Sequence, residues 1–306
     1  MNKTRILRIS KIAVPALVGV LLVVYLAIFY LVASGVTSAE RNDQTDHPSV
    51  YGLEYQDVEF VSRKGDVALD GWYLSGVEDG ASVIFVHGIN STRSGDEATQ
   101  IAVHLVESGF NVLLFDLRAH GSSGGDRVTG GINEAQDVLG AYDYLVATGA
   151  APDRIGVLGM SMGAGTSVLA AANEPGIRGL VADSPYARVS QLVAFEIGRK
   201  TPIPGWFAPV FVPGASAIAD MIFDIDLGKL VPEEAVESVG FPILVIHGDA
   251  DTRIPTDHGR RVYEAAYPGS EMWVVPGVDH LDAFKNYPEE YVNWVVPYFK
   301  DRLGGE

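Results

Sequence analysis

Apolar and polar residues follow three regimes along this chain. Residues 12–33 read IAVPALVGVLLVVYLAIFYLVA without a charge. As a helix rising about 1.5 Å per residue they would reach roughly 33 Å, the thickness of a bilayer's hydrocarbon core. Residues 34–52 lose the apolar pattern, turn polar and acidic, and predict a tether. Beyond residue 52, short apolar runs alternate with amphipathic stretches. Residues 56–62 and 67–74 predict two strands around the turn Arg63-Lys64-Gly65-Asp66. Further strands are expected at 82–86, 111–115, 154–158, 179–182, 242–246 and 271–275. Helices are expected at 96–108, 132–147, 162–173, 257–266 and near 288–302, the last entered through Pro288. Strands as apolar as SVIFV (82–86) belong in a sheet covered on both faces. The βα alternation predicts a mostly parallel, doubly wound sheet.

One segment breaks the rhythm. Residues 187–239 separate two consecutive strands, far more chain than a connection needs. They carry Phe195, Trp206, Phe207, Phe211, Met221 and Phe223 together with Pro202, Pro204, Pro209 and Pro213. That content predicts a partly helical cap inserted into the α/β domain.

Charge adds a compartment. The chain has 22 Lys and Arg against 39 Asp and Glu, a formal net charge of −17. So acidic a surface repels phosphate backbones, which excludes nucleic acid as a partner. The basic residues Lys3, Arg5, Arg8 and Lys11 all precede the first acid, Glu40. Cations before the apolar span keep the amino terminus in the cytoplasm and carry the rest of the chain across. The expected organisation is a basic stub (1–11), a transmembrane anchor (12–33), a tether (34–52) and an extracytoplasmic domain (53–306). A cleaved signal peptide is the competing reading, with Thr37-Ser38-Ala39 as its cleavage site, although its apolar core would normally be shorter. The chain has no cysteine, so disulfides, thiolate metal sites and cysteine nucleophiles are excluded.

The chemistry concentrates at the ends of the predicted strands. Gly159-Met160-Ser161-Met162-Gly163 follows one strand and opens a helix. Glycines on either side of such a turn remove the Cβ atoms that would collide, and they leave the serine hydroxyl exposed above a helix N-terminus. A serine nucleophile needs a base. Of the seven histidines, His280 lies just past the last strand, at the same sheet edge as Ser161. His87, His120 and His247 each precede a glycine at a strand end and read as loop-shaping; His47 falls in the tether, His104 within a helix, and His258 at the start of a helix facing solvent. The base needs a carboxylate, and in His247-Gly248-Asp249-Ala250-Asp251 both Asp249 and Asp251 qualify. A metal reading of His247, Asp249 and Asp251 lacks a supporting ligand motif. Val86-His87-Gly88-Ile89-Asn90 leaves a third strand at this edge, where the backbone N–H groups of Ile89 and Met162 can converge on one oxygen. Gly121-Ser122-Ser123-Gly124-Gly125 lacks the Lys-Ser/Thr of a phosphate loop, and Gly163 and Gly165 lack the third glycine of a dinucleotide fingerprint.

These residues resemble the α/β-hydrolase superfamily of serine hydrolases. The order Ser161, Asp251, His280 is that family's order. Asp116-Leu117-Arg118-Ala119-His120-Gly121 is similar to its D-x-R-x-H-G turn. His247-Gly248-x-x-Asp251-x-x-Ile254-Pro255 is similar to its acid loop, which selects Asp251 over Asp249. The likeness is greatest to exported, single-anchor bacterial hydrolases of the serine-aminopeptidase or esterase type. It implies an eight-stranded sheet with a cap and a small-molecule acyl substrate. It also implies a triad of Ser161, His280 and Asp251 with an oxyanion hole at Ile89 and Met162, and calls for no metal or organic cofactor. His-Gly-Ile stands where many lipases have His-Gly-Gly-Gly, and Val278-Asp279 precedes the histidine where a glycine is common. A peptidase or amidase using the same triad is the alternative enzyme. A non-catalytic surface-binding protein on this fold is the alternative outside enzymes.

Overall fold

The computed structural model describes residues 3–38, 40–65, 67–200 and 204–304; Ala39, Asp66 and Pro202, singled out above, lie outside them. Eight strands form one sheet in the order β1-β2-β4-β3-β5-β6-β7-β8. They are β1 (Tyr55–Val61), β2 (Ala68–Leu74), β3 (Ser82–Val86), β4 (Asn111–Phe115), β5 (Ile155–Met160), β6 (Ile177–Asp183), β7 (Leu244–Gly248) and β8 (Glu271–Val275). Only β2 runs against the others, pairing antiparallel with β1 and β4. The remaining pairs are parallel.

Helices cover both faces, which explains why β3, β4 and β5 are buried at every position. On one face Val138 and Leu139 of α3 (Ile132–Ala147), Val168 of α4 (Met162–Ala171) and Val262 of α8 (Asp257–Ala265) join Ile84, Leu113 and Val157 in one core. On the other face Ile101 and Leu105 of α2 (Ala98–Glu107) and Phe299 of α10 (Pro288–Leu303) pack with Phe85, Leu114 and Leu158.

The chain divides into two compact units: Met1–Thr37 with Val193–Leu227, and Ser38–Leu192 with Gly228–Glu306. The first holds α1 (Lys3–Val36) and the middle of the expected insertion, including the end of α5 (Val189–Lys200), a 3-10 turn (Ala208–Phe211) and α6 (Val212–Phe223). Within α1, residues Ala13–Gly35 form a stretch long and apolar enough to cross a membrane. The flanks of the insertion belong to the second unit, where α7 (Pro232–Ala235) packs near α4 and α8.

Within the second unit, residues 40–51 run across the loops as a strap. Arg41 donates to the carbonyls of His120, Gly121, Ser123 and Gly125. Gln44 Nε2 donates to Asp116, Asn42 Nδ2 to the Asn90 carbonyl, and the Glu40 N–H to Asn90 Oδ1. His47 caps a short 3-10 helix (Pro48–Tyr51) and lies edge-on to Trp72, 4.9 Å between ring centres. A polar sequence without periodicity reads as a free linker. Here the same polar groups bond backbone carbonyls and side-chain oxygens of the loops they cross.

Candidate active site

The loops after β3, β5, β7 and β8 meet at the carboxyl edge of the sheet. Parallel strands direct all four there, so the topology itself assembles the site. Ser161 sits between β5 and α4 with φ 55° and ψ −114°, a conformation that a side-chain-bearing residue holds only when its surroundings enforce it. Enforcement comes from both sides. The Ser161 N–H donates to the Asp183 carbonyl at 2.8 Å. Gly163 passes so close to β3 that a Cβ there would run into the Val86 carbonyl oxygen.

A continuous chain of hydrogen bonds starts at this serine. His280 Nε2 lies 2.8 Å from Ser161 Oγ, and His280 Nδ1 lies 2.7 Å from Asp251 Oδ2. Asp251 Oδ1 accepts the N–H groups of Arg253 and Ile254 at 2.8 and 2.7 Å. Its carboxylate is fully buried, and burial alone would raise its pKa. The hydrogen bonds of His247, His280 and the Ile254 N–H, with the interaction with His280, outweigh burial and hold the group well below the usual carboxylate range. With Asp251 ionised, the geometry requires His280 to carry its proton on Nδ1 and to leave Nε2 free to accept from the serine.

The loop after β3 crosses beside the serine: a Cβ on Gly88 would stand 3.3 Å from Ser161 Cβ. Asp96 Oδ2 anchors this loop by accepting the Gly88 N–H at 2.7 Å. His87 and His120 hold it from below. His87 Nε2 accepts the Leu117 N–H at 3.0 Å, and His120 Nε2 accepts the Asn90 N–H at 3.2 Å. Both rings must be neutral to accept. Burial, reinforced by His87, pushes His120 down to about 4, and burial pushes His87 down as well.

A pH dependence follows. A histidine whose folded pKa lies below its unfolded value binds fewer protons when folded, so stability falls as pH drops from about 6.5 toward about 4. His120 alone accounts for up to about 3 kcal/mol across that window. Thermal unfolding at pH 7 and pH 4.5 should show the loss, and His120→Asn should shrink it.

Known proteins resemble this chain in sequence and fold. A family profile described as serine aminopeptidase, S33, matches residues 78–224. YfhR of Escherichia coli K12 is 25% identical over 253 residues, covering 79% of this chain and 80% of its own length. YqkD of Bacillus subtilis is 24% identical, covering 80% and 74%. The solved structure of the Pyrococcus furiosus esterase Pf2001 is 28% identical, with a TM-score of 0.72 over 88% of this chain and 99% of that one. The chain belongs to the α/β-hydrolase superfamily.

In this α/β hydrolase the sequence-expected residues Ser161, His280 and Asp251 come together. Asp249 does not join them; it accepts the Gly277 N–H at 2.6 Å and ties two loops. Ile89 follows Gly88, which passes beside the serine, and Met162 follows Ser161 itself; among the described residues neither N–H has a protein acceptor. Three residues support these loops; of them only His247 was read from the sequence, as loop-shaping. Asp279 Oδ1 accepts the N–H groups of both Thr252 and His280, fastening the acid loop to the histidine loop. His247 Nε2 donates to the Ile254 carbonyl and lies 3.3 Å from Asp251 Oδ2. Asp96 acts on the loop after β3, as described. Each holds at least one backbone group of a loop. His258, expected at the start of a solvent-facing helix, is on the covered side of that helix. It is buried, accepts the Ala187 N–H at 3.0 Å, and has its pKa lowered by burial. The first turn of α8 leans onto the 184–187 segment, which a helical wheel does not reveal.

Proposed function

We propose that this protein is a membrane-anchored, extracytoplasmic serine hydrolase that cleaves carboxylic esters through an acyl-enzyme. The unbroken hydrogen-bond chain from Asp251 through His280 to Ser161 carries this reading. Ser161 Oγ attacks the acyl carbon while its proton passes to His280 Nε2. The resulting oxyanion takes hydrogen bonds from the N–H groups of Ile89 and Met162, the latter opening α4, whose dipole favours negative charge. Collapse expels the alcohol, which receives the proton from Nε2. A water then delivers its proton to Nε2, attacks the acyl-enzyme, and restores Ser161. Asp251 fixes the tautomer and balances the transient imidazolium. The esterase name of the Pyrococcus protein supports ester cleavage. The apolar stretch Ala13–Gly35 behind four cations supports the anchor and its orientation.

The serine-aminopeptidase profile favours amide cleavage as the second reading. Fluorophosphonate should phosphonylate Ser161 in the native protein, with the adduct located by mass spectrometry, and Ser161→Ala should take up none. Equal labelling of the variant would sink the enzyme reading. Acyl esters assayed beside aminoacyl amides divide the two substrate classes.

A further inference from the structure

The compact unit formed by α1 and the middle of the insertion has an apolar surface on both of its components. Phe29 and Ala33 of α1 are buried against α6. The Phe29 ring lies 6.0 Å from that of Phe211, and Tyr30 lies 6.0 Å from Phe223. Gly214 lets the helices approach so closely that a Cβ there would stand 2.5 Å from the Phe29 ring. Away from this seam the insertion exposes Trp206 (83%), Met221 (75%), Val210 (62%), Ile222 and Phe207. On α1 the outward residues are equally apolar, among them Leu17, Val20, Val23 and Leu31.

Depth follows from the seam. Phe29 stands six residues before Gly35, the end of the apolar stretch, and so about 9 Å inside it along the helix axis. If α1 spans a bilayer, whatever packs on Phe29 lies at that depth too. We propose that residues 206–223 are embedded in the outer leaflet beside the anchor, with the acyl chains of its lipids covering the exposed face; the proposal rests on the anchor reading given above. The sixteen residues Ala208–Phe223 reach only about 24 Å as helix, too short to cross a core of about 30 Å, so the segment enters the leaflet without spanning it. Its single charge, Asp220, sits in the last turn, and Asp224 and Asp226 follow where the chain returns to water. Trp206 stands at the other end, where an indole suits the interface. Close approach through Gly214, Ala215, Ala219 and Ala33 is the packing that helices use in lipid. An exposed apolar patch of this extent is unusual on a surface facing water.

The experiment uses the full-length chain in phosphatidylcholine–phosphatidylglycerol vesicles, with and without bromine on the upper acyl carbons. Trp206→Phe supplies the emission of the other three tryptophans for subtraction. Because the protein has no cysteine, Met221→Cys gives a unique thiol for a membrane-impermeant maleimide, with Glu107→Cys on exposed α2 as the reactive control. The inference requires that brominated lipid remove most Trp206 emission, that iodide leave it largely intact, and that the Met221→Cys thiol label many times more slowly than the control. Alkaline carbonate extraction reads the anchor separately. A chain retained by carbonate-washed vesicles, yet with Trp206 quenched by iodide and untouched by bromine, overturns the embedded cap and leaves the anchor standing. A chain released by carbonate with Trp206 in water overturns both. Shielding of Trp206 from both quenchers means that protein, such as a second copy, covers the face, and also overturns the proposal.

Discussion

Asparagine at Asp251 is expected to lower kcat by about 10⁴, the cost of presenting the wrong histidine tautomer in a triad of this kind. Asp251 Oδ2 is the atom that holds the His280 Nδ1 proton, and the two N–H groups on Oδ1 leave an amide only one orientation in which it can still accept them. In that orientation the new NH₂ faces His280, forces Nδ1 to accept, and puts the proton on Nε2, where it blocks the serine. Asp249→Asn should leave kcat within a few-fold of the parent, since the hydrogen bond its side chain accepts from the Gly277 N–H survives on the amide oxygen. Kinetics on variants that melt within a few degrees of the parent decide the matter. A crippled Asp249→Asn beside a normal Asp251→Asn would overturn the assignment of the acid.

The largest stability effect should come from Asp137, away from the serine. Arg118 Nε and Nη2 both reach its carboxylate, at 2.9 and 2.7 Å, and both side chains are buried. Alanine at position 137 strands a guanidinium in the interior, which costs about 3–5 kcal/mol. For a domain of this size that is roughly a 10 °C fall in Tm. Replacing both partners with apolar residues, as in Arg118→Met with Asp137→Leu, removes the stranded charge and should recover more than half of the loss. Thermal unfolding of the three proteins checks the pair. A double variant melting no higher than Asp137→Ala would mean that Arg118 matters through something other than its charge.

The most legible elements were those where one signal dominates. β3, β4, β8 and α3 have the bounds expected from their apolar runs and turns. Where two signals compete, the bounds move. β5 runs on to Met160 because Gly159 and Met160 still pair with Ala182 and Asp183, although the glycine reads as the start of the turn. β6 contains the expected core 179–182 and extends from Ile177 to Asp183, past Arg178, whose exposed side chain interrupts the apolar run. β7 begins at Leu244, two residues past Pro242, and gains His247 and Gly248 from pairing with β8. α2 starts at Ala98 because Asp96 and Glu97 hold φ of 54° and 55°, with Asp96 turned back to Gly88. Ser161, Asp251 and His280 were readable because chain order and spacing encode them. Asp96 and Asp279 were not, because a side chain that holds another loop's backbone leaves no periodic trace.

The strap changes where a soluble form of this enzyme can begin. A chain starting at Glu40, which a signal peptidase cutting after Ala39 would also produce, keeps Arg41, Gln44 and His47 in place. One starting at Leu53 would strip the carbonyls of His120, Gly121, Ser123 and Gly125 of their guanidinium. It would also uncover one edge of Trp72 and remove the asparagine that holds the Asn90 carbonyl, next to Ile89. Fragment boundaries drawn from the first strand would therefore yield a protein that folds around the same sheet with a loosened loop beside Ser161. Weak activity in such a fragment would reflect where it was cut.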